Sequence, residues 1–340
     1  MGRQLASLFS KHFDNNFIFN FNDKRNRDGG FSAWILLRSK FLKKNIELNT
    51  NDVNHDCLLH FNLHLDVQPA DNSLVPKYLI MLEAPQSYLL NGNIRNLTNY
   101  RKIFTWRDDL VDNQKFVKIN FPNHIVRPNV DGFSNRKLLC CLIASNKSLA
   151  TRDCLDLYSE RVNTIKWFEK NAINDFKLYG LGWDMPAIGR GFMGKFFRFI
   201  TKNFVFLKKI NWFPSYCGPL ERKSDALLTS KFSICYENVG GLSGYITEKI
   251  FDSFFYGCVP VYWGASNVEK YIPNDCFIDR CNFSSNEELY KFMKSMTEKE
   301  FEAMQNNIVN FLSSDAAKPF CDNFFAETIV ETIVEDLANK

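Results

Sequence analysis

The chain has 340 residues, enough for two domains of roughly 150 residues each. Its 45% hydrophobic content, with 33 phenylalanines, can fill two aromatic-rich cores, and a net charge of +4 is too mild for a nucleic-acid-binding protein. No run of about 18 apolar residues is present to span a bilayer, residues 1–16 lack the apolar stretch of a secretory signal, and Ala6 stands where N-myristoylation needs Ser or Thr.

Strand-like and helix-like segments alternate along the chain, which predicts an α/β architecture with parallel sheets. Residues 17–21 read as a first strand, Gly29 and Gly30 as a turn, and residues 31–42 as a helix with Trp34, Ile35, Leu36 and Phe41 apolar. Strands follow at 45–49, 57–65 and 77–82, the last running into Glu83; then come a helix-like stretch to Tyr100 and a strand at 102–106. His60, Asn62, His64 and Asp66 alternate with apolar residues and predict an exposed strand face, with a ligand or acceptor contact as the alternative. The polar stretch 128–136 predicts a linker, with a first domain over 1–134 and a second over 135–321.

The second series opens with a strand at 138–144, a helix at 152–170, and a strand at 176–179 closed by Gly180 and Gly182. Residues 189–213 interrupt it, mixing eight Phe or Trp residues with Arg190, Lys195, Arg198, Lys202, Lys208 and Lys209. Such a basic aromatic stretch suits contact with a membrane surface; the competing reading is a helical insertion packed on the domain. Further on, 226–228 reads as part of a helix, 232–236 as a strand, and 287–296 and 298–312 as helices. A terminal helix is expected within 322–340.

The most informative run is 235–264: a glycine-bearing loop, a helix with Ile250, Phe251, Phe254 and Phe255 apolar, Gly257 at its end, then the strand 259–263. Glu248 and Lys249 fall in the first turn of that helix. A lysine there faces the positive end of the helix dipole, at a cost of about 0.3–1 kcal/mol. A docked anion would remove that cost; the alternative is a solvated lysine. The 10 cysteines form no C-x-x-C, and Cys140, Cys141, Cys235 and Cys258 lie in apolar runs, as buried thiols of a reducing compartment do. Neither His-Glu-x-x-His nor Asp-x-Asp occurs, so no metal site is expected.

The segments FSICYEN (232–238), GYITEKIFD (244–252) and GCVPVYWGASNVEKYIP (257–273) resemble the donor-binding signature of the α1,3-fucosyltransferases, glycosyltransferase family ten. LEAP (82–85), KIFTWRDDL (102–110), ASNK (144–147), SER (159–161) and YGLGW (179–183) are similar to its bacterial branch and occur in family order. The resemblance implies a GT-B fold, two Rossmann-like domains facing across a cleft, with acceptor sugar on the first and GDP-fucose on the second. It also implies inverting transfer of L-fucose to an N-acetyllactosamine- or lactose-type glycan, at O3 of GlcNAc or Glc, with α1,4 linkage open. No cofactor or metal is implied. A cytoplasmic enzyme building surface glycans is expected, peripheral to a membrane if 189–213 binds one.

Glu83 ends an apolar strand, where α/β sheets present ligands, and matches the family's proposed general base; the alternative is a carboxylate capping the following helix. Lys249 is the candidate partner of the leaving diphosphate and Glu248 of the ribose diol. Asn238 and Tyr245 match donor-contacting positions, with turn formation and packing as alternatives, and Glu237 ranks lower. The family's upstream pyrophosphate-binding arginine has no clear counterpart, which leaves Arg190, Arg222 and Lys223, the last favoured by its spacing before Phe232. Two competing functions are a GT-B transferase using another nucleotide sugar and a non-catalytic sugar-nucleotide-binding protein.

Overall fold

The computed structural model describes residues 2–54, 58–69, 73–128, 130–149, 155–187, 196, 199–200 and 210–339. The chain divides into two compact units: Met1–Ile125 with Ser243–Tyr245 and Ala317–Lys340, and Val126–Leu242 with Ile246–Ala316.

In the first unit, β1 (Gln4–Phe9), β2 (Ile46–Thr50), β3 (Phe61–Leu65), β4 (Lys77–Met81), β5 (Lys102–Thr105) and β6 (Phe116–Lys118) form one sheet in the order β2-β1-β3-β4-β5-β6. Every pairing in it is parallel. Side chains alternate between faces with period two. Tyr78, Ile80 and Phe104 face a core shared with helix α1 (Ser32–Lys43), while Leu79, Met81 and Ile103 face a second cluster with Leu97 and Tyr100. Both faces are covered, as a parallel sheet requires.

Three expectations for this unit are corrected. The first strand is β1, not 17–21, where Asn15 and Asn16 take positive φ and the chain turns into a 3-10 helix over Phe17–Phe19. The stretch from Glu83 to Tyr100 holds only a 3-10 turn at Leu89–Gly92 and the single-turn helix α2 (Ile94–Leu97), interrupted by asparagines and Gly92. The polar face of β3 is not exposed: Asn62 and His64 are buried, because the segments that carry Ser73 and Tyr100 cover that side of the sheet. Asn62 donates to Ser73 Oγ (2.9 Å) and His64 Nδ1 lies 2.8 Å from the Tyr100 hydroxyl.

The second unit holds β7 (Leu138–Ile143), β9 (Phe176–Tyr179), β10 (Ser230–Tyr236), β12 (Val259–Trp263) and β13 (Ile278–Asp279) in the parallel order β13-β12-β10-β7-β9. A small antiparallel ribbon pairs β8 (Leu155–Asp156) with β11 (Val239–Gly240). Helices α3 (Leu157–Asn171), α4 (Ser224–Leu227), α5 (Glu248–Phe255), α6 (Asn286–Ser295) and α7 (Glu298–Leu312) accompany the sheet. The unit begins ahead of the boundary expected after residue 134. Phe133 packs edge-on to Phe301 (5.4 Å), Ser134 bonds Glu298 (2.8 Å), and Asp131 pairs with buried Arg136 (2.6 Å). The last helix, α8 (Asp322–Ala338), belongs to the first unit, where Phe325 meets Trp34 edge-on at 5.7 Å. No helix among the described residues is long and apolar enough to cross a membrane.

Gly180 closes β9 at φ +125, and a Cβ there would run into the carbonyl of Ala144. A backbone wall cannot yield as a flexible side chain can. Gly180→Ala should therefore lower stability by about 2 kcal/mol or more, read from the denaturation midpoint.

Candidate active site

Ligands of open parallel sheets bind beyond the strands' carboxyl ends, where strand order reverses. In the second unit that point lies between β7 and β10, because β9 continues from β7 on one side and β10 lies on the other. Two of the segments singled out in sequence meet beside it. Asn146 N–H donates to Leu181 O and its Nδ2 to Gly182 O, both at 2.8 Å, while Trp183 Nε1 donates to Ala144 O at 2.6 Å.

After β10 the chain enters Glu237, which is fully buried. Its Oε1 accepts the Thr247 N–H (2.8 Å); its Oε2 accepts the Thr247 hydroxyl (2.8 Å) and the Lys249 ammonium (3.1 Å). Gly264 makes room for this, since a Cβ there would lie 2.5 Å from Glu237 Cγ. Thr247 occupies the N-cap of α5 without capping it, because its hydroxyl is engaged with Glu237 and Lys249 instead. The helix start thus lacks a side-chain cap for its orphan N–H groups. Its other end closes as a Schellman motif: Gly257, at φ +63, donates to Phe254 O and Cys258 to Ser253 O.

Charge at the helix start is balanced within the protein. Lys249 also lies 3.5 Å from Glu248 Oε1. Burial opposes the Lys249 charge, yet the carboxylates of Glu237 and Glu248 outweigh it and hold the ammonium above its usual range. Burial likewise pushes the Glu248 carboxyl up, but the charges of Lys249 and Lys223 prevail and bring it down from 4.5 to about 2. A lowered acid stabilises the fold above its unfolded value and loses that contribution as pH falls through the folded one. Glu248→Gln should accordingly flatten the melting temperature between pH 4.5 and about 2, compared with wild type over the same range.

The remaining predicted residues separate. Asn238 is half-buried and its Oδ1 accepts from Arg161 (3.1 Å). Lys223 pairs with Asp252 (2.5 Å), one turn along α5 from Glu248. Arg222 is largely exposed, 3.6 Å from Asp225, and Arg190 lies outside the described residues. So do the other basic residues of the aromatic stretch, Lys195, Arg198, Lys202, Lys208 and Lys209. Tyr245 is buried in the first unit, its ring 4.6 Å from Trp106 and 5.9 Å from Phe121.

The arginine that reaches this edge is one that sequence reasoning quoted but left unassigned. Arg161 is buried just past the first turn of α3, and its Nη2 donates to Tyr236 O (2.5 Å), Glu237 O (2.7 Å) and Asn238 Oδ1. Asp156 fixes that turn by capping Tyr158 and Ser159. The usable signal was Asp156 as an N-cap before the SER tripeptide.

In the first unit, Glu83 follows β4 at the sheet's carboxyl edge and is exposed. The main chain around it is tightly held. Asp66 Oδ1 accepts the N–H groups of Leu82 (2.9 Å) and Glu83 (3.0 Å), Asn91 Nδ2 donates to Glu83 O (2.9 Å), and Trp106 Nε1 donates to Leu82 O (2.7 Å). Asn91 was not a sequence candidate, and Asp66 entered only as part of the polar face of β3.

Two units built on parallel α/β sheets give the GT-B architecture, and solved structures share this fold. The chain aligns with an α1,3-fucosyltransferase bound to GDP at TM-score 0.56 and 13% identity, covering 98% of this chain and 91% of that one. It aligns with HepE of Anabaena, bound to UDP and glucose, at TM-score 0.54 and 10% identity, covering 98% and 100%. Residues 217–306 match the model of the glycosyltransferase family 10 (fucosyltransferase) C-terminal domain. Over that segment the chain is similar to glycosyltransferase family 10. Among curated relatives, the α-(1,3)-fucosyltransferase FucT of Helicobacter pylori is 35% identical over 75 residues, 22% of this chain and 16% of that protein. The α-(1,4)-fucosyltransferase of Arabidopsis thaliana is 39% identical over 66 residues, 19% of this chain and 16% of that protein. The mouse 4-galactosyl-N-acetylglucosaminide 3-α-L-fucosyltransferase 9 is 44% identical over 70 residues, 20% and 19%. The matched stretches thus span less than a fifth of each relative's length.

Proposed function

We propose that the protein is an inverting fucosyltransferase that moves L-fucose from GDP-fucose to a hydroxyl of an acceptor glycan. The observation that carries this reading is Lys249, set by a buried carboxylate at an uncapped helix start inside the family 10 segment. Glu83 takes the proton of the acceptor hydroxyl as its oxygen forms a bond to the sugar's anomeric carbon. On the opposite face the bond to the β-phosphate breaks, and the diphosphate leaves with the electron pair. The anomeric centre passes through an oxocarbenium-like state, as in glycoside hydrolysis. Charge building on the diphosphate is met by the Lys249 ammonium and the α5 amides, the kind of preorganised stabilisation that contributes most to catalysis. This arrangement needs no metal ion, because Lys249 supplies the positive charge. The acceptor in this reading is an N-acetyllactosamine- or lactose-type glycan, in keeping with the relatives' names.

A second reading, a transferase with a uridine donor, is favoured by one observation: HepE has the same fold and binds UDP. Thermal shift separates the two. GDP at a hundred times its Kd should stabilise the fold by about 2.7 kcal/mol, with UDP and ADP giving far less. A larger shift with UDP would overturn the GDP-fucose reading. Fucosylated product from GDP-fucose and an acceptor array, in the presence of a chelator, would support it and exclude a non-catalytic binding protein.

A further inference from the structure

We infer that Asp66 and Asn91 are positioning residues that fix the main chain of Glu83 for its reaction, an inference that rests on Glu83 being the base. β4 ends at Met81, so Leu82 and Glu83 lie beyond the sheet ladder and their main-chain groups need partners elsewhere. Four are supplied from outside the strand. Asp66 takes both N–H groups, Asn91 holds the Glu83 carbonyl, and Trp106 holds that of Leu82. The Glu83 peptide groups are therefore gripped on both sides by side chains distant in sequence.

The two side chains also hold each other. Asn91 Nδ2 donates to Asp66 Oδ1 (2.8 Å), and Asn91 Oδ1 accepts the Val67 N–H (3.0 Å). Asn91 is fully buried. Asp66 stands at φ +54, a conformation uncommon for any residue but glycine, and its own N–H donates to Ile80 O (2.8 Å). This backbone turns the carboxylate onto the end of β4 rather than along β3. A loop that merely had to stay folded would not need its bonds to converge on residues 82 and 83; a base that must meet one hydroxyl does, because a misplacement of about 1 Å can cost 100-fold in rate.

The test compares Asp66→Ala and Asp66→Asn, each alone and combined with Glu83→Gln, by kcat, KM, GDP dissociation constant and melting temperature. Asp66→Ala should lower kcat about 100-fold while GDP affinity holds. Asp66→Asn keeps a carbonyl acceptor and should recover most of the loss. In the Glu83→Gln background Asp66→Ala should add less than about 2-fold, because the two act as one unit. If Glu83→Gln turns over like wild type, the base assignment falls and this inference falls with it. If Glu83→Gln is slow but Asp66→Ala slows both backgrounds equally, or neither, only the positioning role is overturned. Should Asp66→Ala fail to fold, Asn91→Ser, which removes the clamp on the Glu83 carbonyl, carries the same comparison.

Discussion

Glu83→Gln should lower turnover by about 10²–10⁴-fold, the usual contribution of a positioned general base, while leaving GDP affinity nearly unchanged. The two outcomes are separable because the carboxylate is required only when the acceptor hydroxyl loses its proton. The substitution keeps size and hydrogen-bonding reach, and the main-chain bonds to Asp66 and Asn91 do not involve the side chain. The variant should therefore keep these main-chain bonds and fold. Steady-state rates on saturating acceptor, with GDP calorimetry on the same preparation, make the measurement. Turnover near wild type would remove Glu83 from the reaction. Weakened GDP binding with turnover lost in proportion would assign it to the donor instead.

The second large effect belongs to Lys249. Lys249→Ala should weaken GDP binding by roughly 10–100-fold, the loss expected for one hydrogen bond to a charged group. It should also destabilise the protein, because it strips the ammonium from fully buried Glu237. Breaking a buried pair costs about 3–5 kcal/mol. Here the cost should fall below that range, since Thr247 still donates two hydrogen bonds to the carboxylate and Lys249 is partly exposed. The pair Glu237→Gln with Lys249→Met removes both charges together. It should restore most of the melting temperature and none of the affinity. Guanosine, lacking the diphosphate, should bind wild type and both variants alike. GDP affinity unchanged in Lys249→Ala would exclude this residue from the donor site.

Strongly periodic segments were legible in sequence. The strands Phe176–Tyr179 and Val259–Trp263 and the helix Glu298–Leu312 have the expected bounds, and Gly257 ends its helix as predicted. These are stretches where local propensity and tertiary packing agree. β1 was missed because Ala6 and Ser7 at its centre give little β signal, while its burial between β2 and β3 is a tertiary fact. His64 and Asp66 were read as an outer face because alternation shows which residues share a side, not whether a further layer covers it.

The placement of the charged residues was legible in part. Lys249 and Glu83 stand at carboxyl edges as their sequence context implied. Glu237 ranked low because nothing local reveals that its carboxylate is buried against Thr247 and Lys249. Arg161 and Asp66 were unreadable for a related reason. They act through main-chain groups that lie, respectively, about 75 and 16 positions away along the chain, a pairing no local window contains. Lys223 pairs with Asp252, a partner that its own sequence context did not reveal.

The placement of α8 bears on how the molecule is made. Phe325, Ile329 and Ile333 complete the core beneath β1 and β3, and the Tyr78 hydroxyl bonds Asp336. A chain emerging from the ribosome therefore presents the first sheet long before the segment that seals one of its faces. Until residues beyond 317 are translated, α1 alone covers that apolar surface and leaves part of it open, so the N-terminal half is completed last although it is synthesised first.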